Sequence, residues 1–598
     1  MQDPPRTLPT GSANEAHKAW LRALERTARI GQDPLQTLPA AIEDLAYRFG
    51  GAPALISEHE SWSYRDLAVC VNRYSRWALT QGLAGSVVCL IMPNCPEYLA
   101  IWLGITRVGG VVALINTNLT GAVLAHAIDA AGPKHIIVGP TLTDAVTAVL
   151  PQLGTPVACW VTGSREDGLY RIEIEEHSGE PLQRSEHEPA SITDRALLIY
   201  TSGTTGLPKA AYVSHFRLMQ WSHWFAGMMD TGPSDRMYNC LPMFHGVGGV
   251  VATGAALLGG GSVVLRSRFS ASSFWDDVVS SGCTLFQYIG ELCRYLVNSP
   301  SHGRETQHRI RLCCGSGLSA DVWERFQQRF RIPRVLEFYA ATEGVFSLYN
   351  CEGKRGSIGR VPGFLAHRFP VALIRVDRES GEPVRDTNGR CIRCAESEIG
   401  EAIGRVGSDG IGGGRFEGYT DVQASERKLM RDVFAAGDTW FRTGDLMRQD
   451  AQGYFYFIER IGDTFRWKGE TVSTSEVASV LAVCAGIVEA VVYGVSVPGN
   501  EGRAGMAAVV VSADFDPTRL WRELSERLPG YARPLFLRIR SAIETTATLR
   551  PTKQTLIREG FDPAACIDSV YFNDRGRRTF VSLDDALYRR ILDGKLRF

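Results

Sequence analysis

The most informative part of the sequence is Tyr200-Thr201-Ser202-Gly203-Thr204-Thr205-Gly206-Leu207-Pro208-Lys209. It follows an apolar run at residues 196–199 that is short enough to form a buried strand. Glycines allow a tight turn with exposed backbone N–H groups, and the hydroxyls and the lysine add further donors. Such a loop is suited to binding phosphate groups, although taken alone it also fits an ordinary polar turn. It is not the usual P-loop, because Gly203 and Gly206 are three positions apart and Pro208 precedes the lysine.

Length and composition indicate a multidomain globular protein. A chain of 598 residues is too long for one simple core, so we expect two or more domains. A net charge of −1 gives no electrostatic basis for binding nucleic acid. The fourteen cysteines have no repeating spacing and no secretory signal opens the chain, so we expect reduced thiols and a cytoplasmic location. No stretch approaches the roughly 20 clean apolar residues of a membrane span, and no oligomeric state is predicted.

The order of predicted elements favours an α/β fold. From Leu38 onward, amphipathic helices alternate with short apolar strands, for example at residues 87–91, 111–114 and 135–138. This alternation predicts parallel sheets with helices on both faces. Residues 1–35 are expected to form an N-terminal arm, and the charged, glycine-containing stretch at residues 459–470 is expected to separate a large domain from a small one.

Three further blocks follow the loop in order: Leu312-Cys313-Cys314-Gly315-Ser316-Gly317, then Glu337-Phe338-Tyr339-Ala340-Ala341-Thr342-Glu343-Gly344, then Trp440-Phe441-Arg442-Thr443-Gly444-Asp445. The second block offers an aromatic face, a hydroxyl and one carboxylate. Magnesium prefers one or two carboxylates together with phosphate oxygens, so Glu343 alone is chemically adequate as a protein ligand. An aspartate on a tight turn, such as Asp445, can accept hydrogen bonds from both hydroxyls of a ribose.

In this order and spacing, the four blocks resemble the adenylate-forming superfamily of acyl-CoA synthetases, luciferases and peptide-synthetase adenylation domains. The resemblance extends over about residues 50–565. The amino-acid sequence of residues 462–477 resembles the fatty acid transport protein and very-long-chain acyl-CoA synthetase branch. The resemblance implies a multidomain α/β fold, with a large N-terminal domain of layered β-sheets and helices (residues 36–459). It also implies a hinge (460–464), a small mobile α+β C-terminal domain (465–563) and a tail (564–598).

The resemblance also implies the site residues. The residues expected to bind ATP are Thr201, Ser202, Gly203, Thr204, Thr205, Gly206, Lys209, Gly315, Ser316, Gly317, Tyr339, Ala340, Thr342, Asp445 and Arg460. The expected catalytic residues are Lys209, Thr342, Glu343 and Arg550, with Glu343 also holding Mg²⁺. The expected substrate pocket contains His245, Val345 and Gly469. ATP and Mg²⁺ are the implied cofactors, and coenzyme A is the implied acceptor.

The sequence departs from the family pattern at three positions. The family's catalytic lysine lies in a Thr-Gly-Thr-Phe-Lys string, whereas this chain has Arg550 at that place. Arginine keeps the positive charge but is longer and planar, so the two are not interchangeable. Lys553 is an alternative that would require a shift in register. Ser316 and Val345 stand where the branch favours asparagine, which predicts a pocket with altered polar groups.

These features favour an ATP-dependent ligase that converts a fatty or aryl carboxylate into an acyl-adenylate with release of pyrophosphate, then transfers the acyl group to coenzyme A. One alternative keeps ATP but activates nitrite, which an aromatic amine then attacks, as in ATP-dependent diazotases of natural-product biosynthesis. A second alternative is an inactive nucleotide-binding relative. Arg550 alone favours the latter, and the intact Lys209, Glu343, Asp445 and Arg460 speak against it.

Overall fold

The computed structural model of the protein describes residues 13–163, 169–202, 207–377, 380–407, 414–461, 463, 465–467, 470–500, 502–545 and 552–596. Within these residues the α-helices are α1 Ala13–Thr27, α2 Leu38–Phe49, α3 Tyr64–Thr80, α4 Pro96–Arg107, α5 Gly121–Ala131, α6 Thr143–Thr147, α7 His215–Met229, α8 Thr253–Leu258, α9 Phe274–Ser280, α10 Gly290–Asn298, α11 Ala320–Phe330, α12 Val422–Glu426, α13 Thr474–Ala482, α14 Pro517–Arg527, α15 Gln554–Glu559 and α16 Asp585–Leu592. Short 3₁₀ turns lie at Pro140–Leu142, Leu150–Gln152 and Gly363–Leu365, and Val247–Ala252 forms a π-helix. In this part of the chain, none of the helices combines the length and apolar character required to cross a membrane.

The strands are β1 Pro53–Ile56, β2 Ser61–Ser63, β3 Val87–Ile91, β4 Val111–Leu114, β5 His135–Val138, β6 Ala158–Val161, β7 Tyr170–Arg171, β8 Arg195–Ser202, β9 Pro208–Ser214, β10 Arg236–Asn239, β11 Ser262–Leu265, β12 Leu285–Ile289, β13 Leu312–Ser316, β14 Val335–Ala340, β15 Ser347–Asn350, β16 Val371–Ile374, β17 Gly400–Arg405, β18 Leu429–Arg431, β19 Thr439–Gln449, β20 Phe455–Arg460, β21 Phe465–Trp467, β22 Glu470–Val472, β23 Ile487–Val495, β24 Ala504–Val511, β25 Phe536–Arg540, β26 Ser569–Asp574 and β27 Thr579–Ser582.

Two large sheets form the body of the protein. The first has the strand order β7-β6-β5-β3-β4-β8-β9, and all its pairs are parallel except β8 with β9. The second has the order β15-β14-β13-β12-β10-β11-β1-β2, with antiparallel pairs only at its two edges. The predicted α/β class with mainly parallel sheets is confirmed.

The apolar run before the polar loop explains why β8 is a central strand. Residues 196–199 are almost fully buried, because helices cover both faces of the sheet. An unbroken apolar run is the pattern expected for such a strand. β8 then continues as far as Ser202, and β9 begins at Pro208, so the polar loop joins two antiparallel strands at one end of the sheet.

A core of buried side chains joins the two sheets through the helices between them. Helix α1, in the predicted N-terminal arm, packs directly on α7. A Cβ placed on Gly227 would lie 2.5 Å from the backbone of Ala23, so the close approach of these helices requires a glycine. Trp20 is 1% exposed and its ring packs edge-on against Trp224 and Tyr349. Helix α1 of the predicted arm is therefore part of the core of the large domain.

A smaller sheet and a separate core follow the predicted hinge. Before the hinge, the antiparallel sheet of β16 to β20 completes the large domain, with β20 paired to β19. After it, a second core of buried side chains extends from Phe465 to Ile591 and packs around the five-stranded sheet β23-β24-β25-β26-β27. Of the predicted hinge residues, Gly462 and Thr464 lie outside the described part of the chain.

Residues 564–598 differ from the predicted tail. This segment contributes β26 and β27 to the small-domain sheet, where β26 pairs with β25 along residues 536–539. Phe580 is 3% exposed and Ile591 is fully buried. The sequence shows no strong apolar run there, because a hairpin at the edge of a sheet buries only alternate side chains. The small domain therefore extends to the end of α16.

A Phe580→Ala variant is expected to destabilise this part of the small domain. Removing a buried aromatic side chain costs about 3–5 kcal/mol through lost burial and the cavity left behind. Hydrogen exchange followed by mass spectrometry should show faster exchange in β26 and β27, while the first large sheet keeps its protection. Arg577→Ala, in the turn of the same hairpin, is the matched control and should behave as the wild type. If residues 569–582 exchanged rapidly in the wild type as well, their place in the sheet would be wrong.

Candidate active site

The two strands around the polar loop place three predicted nucleotide residues. The β8–β9 register pairs Thr201 with Lys209 and Ser202 with Pro208. The side chains of Thr201 and Lys209 are both partly exposed at this end of the sheet. The remaining predicted loop residues, Gly203, Thr204, Thr205 and Gly206, lie outside the described residues.

A distant segment extends this hairpin and brings a tyrosine to it. The backbone N–H of Tyr212 donates to the carbonyl of Gly418 (3.0 Å), and the N–H of Thr420 donates to the carbonyl of Ala210 (3.0 Å). Tyr419, between these two bonds, forms a bridge to Ala211 and is 4% exposed. Residues 418–420 therefore act as a short additional strand against β9.

The phenol of Tyr419 holds the predicted magnesium carboxylate. Its hydroxyl donates a short hydrogen bond to Oε1 of Glu343, which is 8% exposed. Burial and the nearby Glu343 carboxylate raise the pKa of Tyr419, while a hydrogen bond with the Thr201 side chain acts in the opposite direction. The phenol therefore remains a protonated donor, and Thr201, Tyr419 and Glu343 lie together beside the loop.

The predicted ribose group is also assembled. Asp445 on β19 lies opposite Arg460 on β20, and Arg460 Nε donates to Asp445 Oδ1 at 3.0 Å. The Tyr339 hydroxyl donates to the other oxygen, Oδ2. The backbone N–H of Asp445 donates to Thr443 Oγ1 at 3.0 Å. Each carboxylate oxygen can accept more than one hydrogen bond, so the 2%-exposed Asp445 keeps acceptor capacity for a ligand's hydroxyls.

A buried acid, Glu337, stabilises the predicted adenine turn at the end of β13. Glu337 is 1% exposed and accepts hydrogen bonds from the backbone N–H of Leu318 (3.0 Å) and from the Tyr288 hydroxyl. A Cβ on Gly315 would lie 2.3 Å from the carbonyl oxygen of Tyr288, so the strands approach too closely for any other residue. Gly317 has a φ of 83°, which also favours glycine. Gly315, Ser316 and Gly317 therefore form a rigid turn near Tyr339.

The two domains match two enzyme family models. The AMP-binding enzyme model matches residues 42–391, more than half of the chain, and the AMP-binding enzyme C-terminal domain model matches residues 476–549. The chain belongs to the AMP-binding enzyme family. Long-chain fatty acid transport protein 1 of Mus musculus is 38% identical over 583 residues, covering 96% of this chain and 89% of that relative. Long-chain fatty acid transport protein 6 of Mus musculus is 39% identical, covering 91% of this chain and 88% of that relative.

Solved structures show the same fold. An anthranilate CoA ligase in complex with anthranoyl-AMP matches with a TM-score of 0.72 and 19% identity, covering 87% of this chain and 96% of the other. ATP-bound MatB from Rhodopseudomonas palustris matches with a TM-score of 0.71 and 24% identity, covering 87% and 98%. The predicted family, its fatty acid transport protein branch and the two-domain fold are confirmed. This AMP-binding enzyme is an AMP-forming ligase. None of these four proteins is a diazotase, so the nitrite-activating alternative gains no support.

The remaining predicted residues of this AMP-binding enzyme fall into two groups. His245 is partly buried with its ring 4.7 Å from that of Phe244, and Val345 is 5% exposed directly after the Glu343 turn. Gly469 and Arg550 lie outside the described residues. Lys553 is described, and its Nζ donates to Thr474 Oγ1 at 2.9 Å and lies 3.5 Å from Asp463 Oδ1. The side chain of Lys553 therefore lies at the junction between the domains.

Arg217 is a site residue that the sequence does not reveal. Its guanidinium donates to the carbonyl oxygens of Tyr212 (3.3 Å), Thr342 (3.3 Å), Glu343 (2.7 Å) and Arg415 (2.7 Å). It is 4% exposed. A single buried cation therefore ties the end of β9, the turn that carries Glu343 and the segment leading to Tyr419. An arginine near the start of a helix carries no signal for this role, because the contacts come from residues about 125 and 198 positions away.

Glu417 balances the charge of Arg217. Its carboxylate lies 4.0 Å from Arg217 Nε and accepts hydrogen bonds from the hydroxyl (2.6 Å) and backbone N–H (2.7 Å) of Ser214. Ser214 caps α7 by accepting from the N–H of Arg217. Buried charges are tolerated when they are paired and hydrogen-bonded in this way.

An Arg217→Lys variant is expected to lower kcat/KM for ATP by about tenfold to a hundredfold, because a small displacement of a catalytic turn has effects of this size. An ammonium keeps the charge but cannot reproduce the planar set of donors that reaches four carbonyl groups. The measurement is the rate of pyrophosphate release as a function of ATP and Mg²⁺ concentration. Arg184→Lys, at an exposed arginine, is the control. Wild-type kinetics in Arg217→Lys would contradict a role in positioning Glu343.

A Glu337→Gln variant is expected to change how stability depends on pH. Burial raises the pKa of Glu337 from its ordinary 4.5 to about 8, so between these values the folded protein retains a proton that the unfolded chain releases. The free energy of unfolding of the wild type should therefore fall, relative to the variant, as the pH rises through this window. Chemical denaturation at several pH values measures the difference. Glu176→Gln, at an exposed glutamate, should leave the slope unchanged, and identical slopes for wild type and Glu337→Gln would refute the buried neutral acid.

Proposed function

We propose that this AMP-binding enzyme activates a carboxylic acid with MgATP and transfers the acyl group to coenzyme A. In the first step a carboxylate oxygen attacks the α-phosphorus of ATP, the bond to the bridging oxygen breaks and pyrophosphate leaves. In the second step the sulfur of coenzyme A attacks the acyl carbonyl and AMP leaves with the bonding electron pair. Both steps are helped chiefly by positioning and by cations that neutralise charge on the phosphate.

One observation carries this proposal: two buried carboxylates of the large domain, Glu343 and Asp445, are each held in place by a tyrosine hydroxyl. Glu343 is fixed by Tyr419 beside the phosphate loop, and Asp445 is fixed by Tyr339 and Arg460. The first acid suits a metal-bound triphosphate and the second suits a ribose. Each is held by groups from separate parts of the chain, so the site is preorganised before a ligand arrives.

The donor set near the loop fits Mg²⁺. A magnesium ion bound to a triphosphate needs only one or two protein carboxylates, since phosphate oxygens and water supply the rest of its octahedron. Glu343 offers one carboxylate, and Thr201 offers a hydroxyl beside it. When bound there, the ion would neutralise charge on the departing pyrophosphate. Glu343 would hold it, and Tyr419 would orient Glu343.

The residues of the loop complete the phosphate site in this proposal. Lys209 supplies a cation at the start of β9, opposite Thr201. Thr342 is held through its carbonyl by Arg217 and presents a hydroxyl next to Glu343. In this proposal His245 and Val345 contribute to the acyl pocket. The roles of Gly469 in that pocket and of Arg550 as a catalytic cation stay predictions, because both residues lie outside the described part of the chain. Ala340, at the end of β14, contributes to the adenine face with Tyr339.

Two further features belong to the proposal. Residues 460–464 form the hinge about which the small domain turns between the two steps, and the Lys553–Asp463 contact lies at this junction. A reducing, cytoplasmic compartment is supported by the fourteen cysteines, all of which are free thiols. A disulfide framework would be expected in an oxidising compartment.

Long-chain fatty acids are the first acids to test, because the relatives above are named long-chain fatty acid transport proteins. Aryl acids are the second class, since the fold is shared with an anthranilate CoA ligase. Pyrophosphate release should require ATP, Mg²⁺ and one of these acids, and the thioester should form only when coenzyme A is added.

The matching variant is Glu343→Gln, which should lower pyrophosphate release by about a hundredfold or more, since losing one well-placed electrostatic group has effects of this size. The amide cannot bind Mg²⁺ as an anion, but it keeps the shape of the side chain. Glu426→Gln, at an exposed glutamate, is the control and should retain activity. Formation of ADP and phosphate, rather than AMP and pyrophosphate, would disprove the proposed reaction.

A further inference from the structure

Besides Arg217, a second cation of the large domain, Lys428, lies against the turn that precedes Asp445. Lys428 lies between α12 and β18, and its Nζ donates to the carbonyl oxygens of Arg442 (3.3 Å) and Thr443 (3.2 Å). A Cβ placed on Gly444 would be 4.0 Å from this nitrogen. The ammonium therefore sits beside the backbone that carries the proposed ribose carboxylate.

The ammonium of Lys428 has neutral acceptors instead of an ion-pair partner. Across the described residues, no carboxylate forms an ion pair with it. Its hydrogen bonds go to two carbonyl oxygens, and its Nζ lies 5.4 Å from the centre of the Phe441 ring. Burial lowers the pKa of Lys428, and the more distant carboxylates of Glu343 and Asp445 oppose this effect. A partly buried cation that lacks a directly bonded anion is stabilised when a ligand brings one.

The surrounding charges show where such an anion would fit. Lys428 donates to the carbonyl oxygens of Arg442 and Thr443, just before Asp445 in the chain, so its ammonium lies beside the proposed ribose position. The carboxylates of Glu343 and Asp445 both favour its charged form. The α-phosphate is the part of a nucleotide that connects the ribose to the metal-bound phosphates. Together with Arg460, the charge of Lys428 balances these two acids, and a phosphate entering without it would meet a net negative site.

We propose that Lys428 binds the α-phosphate of the nucleotide and of the adenylate formed from it. This inference rests on the proposed function. Because Lys428 belongs to the large domain, it stays beside the phosphorus in both positions of the small domain. The chain thus has a fixed cation at the reacting phosphate, separate from Arg550 on the moving domain.

The test compares the binding of adenosine, AMP and ATP by isothermal titration calorimetry. Lys428→Met removes the charge, and Lys428→Gln also removes it but keeps an N–H donor for the carbonyls of Arg442 and Thr443. Both variants should bind AMP and ATP about tenfold to a hundredfold more weakly, the loss expected for one hydrogen bond to a charged group. Adenosine, which has no phosphate, should bind as tightly to the variants as to the wild type.

The other outcomes overturn the inference. If adenosine binding falls as much as AMP binding, Lys428 only shapes the turn at Asp445. If ATP binding falls but AMP binding does not, the lysine contacts the outer phosphates. Unchanged binding of all three ligands excludes a phosphate contact. Arg427→Met, at the exposed neighbouring cation, is the control.

Failure of the proposed function gives a different result from failure of this inference. A wild-type protein that binds none of the three ligands contradicts nucleotide activation altogether. If the wild type binds AMP more tightly than adenosine, and the variants show the same preference, only the role of Lys428 is contradicted. Thermal unfolding of each variant verifies that binding is measured on folded protein. Lys428→Gln, which keeps an N–H donor, carries the test if Lys428→Met does not fold.

Discussion

The site depends on the buried guanidinium of Arg217 and its hydrogen bonds to backbone carbonyl groups. Residues 212, 342–343 and 415 are far apart in sequence, and the carbonyl oxygens of all three segments accept hydrogen bonds from this one cation. Burying a charge is unfavourable unless it is paired and fully hydrogen-bonded. Arg217 meets this condition through four carbonyls and Glu417, so the three segments have one favourable arrangement rather than many.

The two acids of the site are held by the same kind of hydrogen bond. Each buried carboxylate accepts a hydrogen bond from a tyrosine hydroxyl: Glu343 from Tyr419, and Asp445 from Tyr339. Burial and the adjacent carboxylate raise the pKa of both phenols, so they remain protonated and act as donors. The two tyrosine hydroxyls thus orient the acids, whose oxygens can each accept a further hydrogen bond. A preorganised charge requires little rearrangement when the ligand binds.

The small domain has a core of buried side chains separate from that of the large domain. The buried side chains after Phe465 pack among themselves around the small sheet, and that core includes β26 and β27 at the end of the chain. Contacts across the junction are polar, as between Lys553 and Asp463 or between Arg294 and the carbonyl of Val488 (3.1 Å). Polar, partly exposed contacts of this kind are weak individually. They allow one domain to turn against the other without opening either core.

Local chemistry determined much of this protein from sequence alone. The apolar run of β8 and the loop after it, the glycine turn after β13 and the alternation of helices and strands are local patterns, and they predicted the α/β fold and the family. They also predicted Tyr339, Glu343, Asp445 and Arg460 as a group, because each lies in a block with a recognisable order. Arg217, Tyr419 and Lys428 acquire their roles from hydrogen bonds and charges that join segments up to about two hundred residues apart. No local pattern specifies such contacts, so only the tertiary structure decided which side chains hold the acids in place.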